Sequence, residues 1–226
     1  VTSGLELIRE LFFPSPEALF TSLTMLNVRL LEDALATLTR VLVSWIGGSA
    51  LGVVVGLFMA RSRSLMYALN PLIEAVRPIP PVALIPFVIL WFGIGDDGKL
   101  FLGALACFMV MVVNTTVAVT NVAPVLLQAA RSLGANDNVL FRKVVFPSIL
   151  PEILSGFRIG SALAFAVIVA AEFLGADAGI GRLIMSASRT LNTPVVLLGT
   201  IVIAMMAVLV DQAILRISAY LTRWSP

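Results

Sequence analysis

Apolar residues in this chain fall into five runs, each close to the length that crosses a bilayer. With roughly 18 apolar residues needed to span about 30 Å of hydrocarbon, the runs are Val41–Ala60, Ile79–Gly95, Leu100–Val122, Ile159–Ala176 and Val195–Leu215. They predict an all-α, polytopic transmembrane protein. The second run carries Pro78, Pro80, Pro81 and Pro86. Each proline removes a backbone donor that lipid cannot replace, so this run is expected to be broken and to face protein. Gly47, Gly48, Gly52 and Gly56 place small residues about one turn apart on the first run, a pattern that predicts close helix packing and not a ligand site.

The segment from Ala123 to Gly160 is too polar for lipid and too patterned for a linker. Pro124 suits the first turn of a helix through Leu133, and Gly134 suits a left-handed stop. Asn136 or Asp137 can then cap a second short helix, Asn138 to Val145, whose end carries Arg142 and Lys143 as the helix dipole favours. Pro147 and Pro151 are expected to punctuate the return to the membrane. Val139, Leu140, Val144 and Val145 are expected to find no cover within a five-span chain, and so to need a partner.

Composition removes whole classes of function. Of 226 residues, 59% are hydrophobic and 12% charged, against roughly 25% charged in a soluble domain. A net charge of +2 gives no basic face for nucleic acid. There is no histidine and one cysteine, Cys107, inside an apolar run. Histidine and cysteine metal sites, Cys/His nucleophiles, disulfides and histidine-based hydrolysis all lack their parts, and no cofactor is implied. Cys107 and the eight methionines read as packing.

Orientation follows the basic residues. Arg61, Arg63, Arg77, Arg131, Arg142, Lys143, Arg158, Arg216 and Arg223 fall on one side, read as cytoplasmic, and most acids fall on the other. Residues 1–40 are then external. Val1 to Glu10 has no basic stretch followed by an apolar one, so it is not a signal peptide and an upstream helix is expected. From Phe12-Phe13-Pro14 onward the chain reads either as a turn and an interfacial helix starting near Pro16 or as a surface linker. Glu172, near the end of a run, has two open readings: a pathway residue, or a hydrogen-bonded acid at the outer interface. Asp211 is expected to pair with Arg216.

The residues Gln128-Ala129-Ala130, then Gly134, Val144 and Phe146-Pro147 resemble the EAA motif of the membrane subunits of bacterial ABC importers. The spacing agrees throughout, and Gln128, Val144 and Phe146 replace Glu, Ile and Leu of that motif. Phe13-Pro14-Ser15-Pro16, Arg77-Pro78-Ile79-Pro80-Pro81, Leu90-Trp91-Phe92-Gly93-Ile94-Gly95, Asn114-Thr115, Ala171 to Ala176, Gly179-Ile180-Gly181 and Asp211 extend the resemblance to the nitrate, sulfonate, taurine and bicarbonate branch.

The resemblance implies a multi-pass permease of the bacterial inner membrane with no enzyme activity of its own. Its external or interfacial segment would be residues 1–40 and its permease domain residues 41–226. The cytoplasmic coupling segment, 123–158, would dock on a separate ATPase through Gln128, Ala129, Ala130, Gly134, Ala135, Asn136, Asp137, Arg142 and Pro147. Pro80, Asn114, Thr115 and Glu172 would line the pathway. The implied partners are two ATP-binding subunits, a second permease copy, an external substrate-binding protein and membrane lipid. The implied cargo is a small anion or organic acid. ATP hydrolysis would be borrowed, since the sequence holds no G-x-x-x-x-G-K-[ST] loop and Gly179-Ile180-Gly181 reads as a turn between short outer helices.

Two other classes stand beside this reading. An ion-gradient-driven secondary transporter usually has related halves and an ionisable residue near mid-membrane, and the sequence displays neither an internal repeat nor a central acid or base. A membrane scaffold without transport is the other.

Overall fold

The computed structural model describes residues 14–223; the readings of Val1 to Glu10 and of Phe12-Phe13 lie outside them. Helix α1, Pro16–Arg61, starts on a Ser15 cap with Pro16 in the first turn and leaves helical geometry only at Asn27 (φ 19°, ψ −96°). Helix α2 is Arg63–Val76. A short 3₁₀ turn, Pro81–Leu84, leads into α3, Ile85–Phe92. Helix α4 is Asp96–Thr120 and α5 is Pro124–Ser132. Then come α6, Asp137–Leu140, a π-helical stretch, Phe141–Val145, and α7, Phe146–Leu174. The chain ends in α8, Ile180–Arg189, and α9, Thr193–Leu221. No strand occurs among the described residues. Four helices are long and apolar enough to cross a membrane, and five spans result if the bent pair α2/α3 is one.

Helix α1 does not start near Val41 as the apolar count suggests. Arg29, Glu32, Asp33 and Arg40 interrupt the run in sequence, yet Asp33, Thr37 and Arg40 are buried because residues on other helices satisfy them. The boundary between residues 40 and 41 therefore falls inside a continuous helix. The proline-rich run is likewise not one straight span. Helix α2 and the 81–92 segment meet at 80°, with Pro78 and Pro80 in the break and Pro81 and Pro86 in the first turns that follow.

Helices α1, α4 and α7 form the centre. A Cβ on Gly48 would meet the Ala104 backbone, one on Gly52 would meet Met111 Cβ at 2.6 Å, and one on Gly56 would meet Thr115 Cβ at 2.8 Å. Gly47 belongs to a different face and has nothing within 4 Å of such an atom. Without a hydrophobic driving force between helices in lipid, this close approach of backbones is what supplies dispersion energy. Trp45 Nε1 donates to Phe157 O at 2.8 Å, and the two rings meet edge to face at 5.8 Å. Cys107 is fully buried and donates to Gly160 O at 3.3 Å.

Candidate functional site

The polar segment after α4 has the predicted reversal. Gly134 stands at φ +80°. Its N–H donates to Arg131 O at 2.9 Å and the Ala135 N–H donates to Ala130 O at 3.0 Å, the paired bonds that close a helix through a left-handed glycine. Asn136 Oδ1 then accepts from Val139 N at 2.9 Å, capping α6. Gln128, Ala129, Asn136, Asp137 and Arg142 are exposed, while Ala130, Ala135 and Pro147 are half-buried.

Two expectations for this segment need correction. Pro147 and Pro151 do not interrupt the chain, since Asp137 to Leu174 forms one long helical path. Pro147 sits in the first turn of α7, and the stretch before it is π-helical, with Phe146 N donating to Phe141 O. Within α7, Pro151 is tolerated as prolines in membrane helices are, because neighbouring helices and side chains satisfy the freed carbonyls. Leu140 is buried and Val144 and Val145 are half-covered by the bundle itself. Of the four, Val139 alone is exposed as expected, and the apolar surface at this end is completed by Val125, Leu126 and Leu133, the last 89% exposed.

A second feature lies along the bundle. A cavity of about 370 Å³ opens between the α2/α3 break, α4 and α7, lined among others by Arg77, Ile79, Pro81, Met109, Val113 and Asn114. Asn114 is among its lining residues, and Pro80 lies between two others. Thr115 is fully buried against the α1 glycine stripe, and Glu172 is enclosed elsewhere, so neither reaches this cavity. Arg77, assigned from sequence to a cytoplasmic segment, is exposed at the α2/α3 break and lines this cavity. It closes α2 with its N–H donating to Ile73 O at 2.8 Å.

At the opposite end of α4, about 36 Å from the coupling segment for a helix of 25 residues, is a dense polar cluster. Glu172 has no exposed side-chain surface and accepts from Arg40 Nη1 at 2.7 Å, from Thr37 Oγ1 at 2.9 Å and from the Gly181 N–H at 2.9 Å. Arg40 also donates to Asp96 at 2.9 Å and to Ala178 O at 2.7 Å. Asp33 accepts from the Gly179 N–H at 2.7 Å, and Thr37 Oγ1 accepts from the Ile180 N–H at 2.9 Å. The free N–H groups at the start of α8 are therefore met by side chains of α1 and α7, as a helix N-terminus requires. Of the two readings of Glu172, this geometry belongs to the hydrogen-bonded acid.

Sequence reasoning missed Asp33, Thr37 and Arg40, although their i, i+4, i+7 spacing puts them on one helix face. Asp211 pairs with Arg158 of α7, not with Arg216. A residue five positions along a helix lies well round from the first, whereas three or four would share its face.

Four to five candidate spans among the described residues, a bent helix pair and a polar reversal at one end describe a polytopic membrane protein. The comparisons agree. Residues 50–223 match the family described as binding-protein-dependent transport system inner membrane component. The taurine transport system permease protein TauC of Escherichia coli (strain K12) is 36% identical over 227 residues, which is 97% of this chain and 82% of that protein. The putative aliphatic sulfonates transport permease protein SsuC of Bacillus subtilis (strain 168) is 28% identical, over 99% of this chain and 82% of that one.

Among solved structures, an inward-facing MetNI methionine ABC transporter chain superposes with TM-score 0.64 at 22% identity, covering 84% of this chain and 97% of that one. A chain of an amino acid ABC transporter superposes with TM-score 0.64 at 18% identity, over 90% and 97%. These last two carry the fold alone. The chain belongs to the family of binding-protein-dependent transport system inner membrane components, and it is a multi-pass permease subunit of an ABC transporter in the inner membrane.

Proposed function

We propose that two copies of this chain form the pathway of an importer driven by two copies of a separate ATPase subunit. A substrate-binding protein delivers a small anion, of the sulfonate or taurine class, at the Glu172 end. The single observation that supports this reading best is the projecting reversal at Gly134, which exposes Leu126, Leu133 and Val139 beside Arg142 where a soluble partner can reach them. In this reading residues 1–40 begin outside the membrane, and Gln128 to Pro147 couples ATP-driven closure to rearrangement of the bundle. The mass of the gently solubilised complex tests the assembly: two chains with two ATPase subunits are expected, and a stable monomer without ATPase contradicts it.

Gly134 gives the coupling test. A Cβ there meets nothing within 4 Å, so a substitution acts through the backbone alone. A β-branched residue is strained at positive φ by roughly 1–2 kcal/mol or more, while Asn tolerates it. Gly134→Val is expected to lower uptake and binding-protein-stimulated ATP hydrolysis together, by about tenfold, because about 1.4 kcal/mol of coupling lost is a factor of ten. Gly134→Asn is expected to be mild. Replacing half-buried Ala135 with Glu is expected to act like Gly134→Val by obstructing the docked partner. Both activities are measured in vesicles at matched expression, and parental transport in both Gly134→Val and Ala135→Glu removes the coupling role.

A further inference from the structure

Arg77 is exposed at the α2/α3 break. Arg40, Lys99, Arg158 and Arg182 each meet a carboxylate within 4 Å. Among the described residues the Arg77 side chain has no ion pair and no hydrogen bond. The preceding acid on α2, Glu74, accepts from Asn70 at 2.8 Å instead. Arg77 also lines two cavities, the one of about 370 Å³ with Met109, Val113 and Asn114, and a neighbouring one of about 180 Å³ with Met59, Val113 and Thr116.

Those α4 residues fix its level. Val113 and Val117 lie seven and three positions before the end of α4 at Thr120, so Arg77 stands beside its last two turns, about 5–10 Å from that end. The residue is exposed, so its unpaired guanidinium beside the cavity is free to meet water, a partner or a passing charge. It sits where α2 ends and the chain turns by 80°, so the backbone there is free of a straight span's constraints.

We propose that Arg77 is the residue of the pathway that contacts the anionic head of the transported solute, an inference that rests on the importer reading above. The guanidinium fork matches a sulfonate or carboxylate with two parallel N–H donors. Ile79, Pro81, Leu84, Met109 and Val113 give the rest of the cavity an apolar wall, suited to the short hydrocarbon body of such a solute. Asn114 supplies one further polar group. The volume falls within the usual range for small-molecule pockets, about 300–1,000 Å³. The chemistry assigned to the site is therefore one sulfonate or carboxylate head on a small body.

The test uses the whole complex, with its ATPase and binding protein, in proteoliposomes, and reads the number of solute molecules moved per ATP hydrolysed. Labelled taurine and butane-1-sulfonate are the probes. Arg77→Gln is expected to lower that ratio about tenfold or more, the worth of a hydrogen bond to a charged group. Arg77→Lys keeps the charge and is expected to retain more of the ratio than Arg77→Gln, and Arg77→Glu is expected to have the lowest. A ratio in Arg77→Gln equal to the parent's overturns the proposal, including the case in which the dimer melts earlier and Arg77 is only an interface residue. Failure of the importer reading looks different: the parent itself then has no ATP-dependent uptake.

Discussion

Gly52→Leu is expected to yield no folded bundle, whereas Gly47→Leu on the same helix is expected to be silent. A Cβ at position 52 would lie 2.6 Å from Met111 Cβ and 2.8 Å from Phe108 O, and the carbonyl cannot swing aside without moving α4. Overpacking a core commonly costs about 1–3 kcal/mol, and a whole leucine wedged against backbone exceeds that. At position 47 nothing lies within 4 Å, so the same side chain projects away from the bundle and changes stability by no more than about 0.5 kcal/mol. Size-exclusion profiles after mild detergent extraction compare the two. A monodisperse, normally expressed Gly52→Leu protein would show that α1 and α4 do not pack as described.

Glu172→Gln is the second large effect. The carboxylate is fully enclosed and meets the Arg40 guanidinium, the Thr37 hydroxyl and the Gly181 N–H. An amide brings its own N–H groups against these donors and leaves Arg40 paired only with the half-exposed Asp96. Breaking one side of a buried pair costs about 3–5 kcal/mol, chiefly by stranding the other charge. Gly179→Ala should approach this cost from the other direction. Gly179 has φ +129°, and an added Cβ would fall 2.5 Å from the Glu172 carboxyl carbon. Thermal unfolding in detergent measures all of these. In a double-mutant cycle, Arg40→Gln combined with Glu172→Gln should lose less than the sum of the single changes. Strict additivity would mean that the pair does not hold α1, α7 and α8 together.

The parts of this molecule that sequence made legible are those governed by local rules. Gly134 had to be left-handed because a helix started by Pro124 has to stop before Asn136 can cap another, and the structure has that reversal. The α1 glycines predicted a close helix contact, but one-turn spacing did not reveal which of Gly47 and Gly48 faces α4. The polar cluster was hidden because its members lie far apart in sequence. Asp33 and Arg40 read as the edge of a span until Gly179, Glu172 and Asp96 arrive beside them. The cavity beside Arg77 was hidden for a related reason. Counting charges between apolar runs puts Arg77 in a loop and gives no sign of the 80° bend that sets it beside the cavity.

ATP-dependent uptake by the reconstituted complex tests the central claim most directly. Proteoliposomes holding the chain and its ATPase would be loaded with ATP, given labelled taurine or butane-1-sulfonate outside, and assayed with and without the binding protein and with an ion gradient alone. The account expects accumulation only when ATP and the binding protein are both present, with no uptake from the gradient alone. Accumulation driven by an ion gradient in vesicles lacking the ATPase would contradict it.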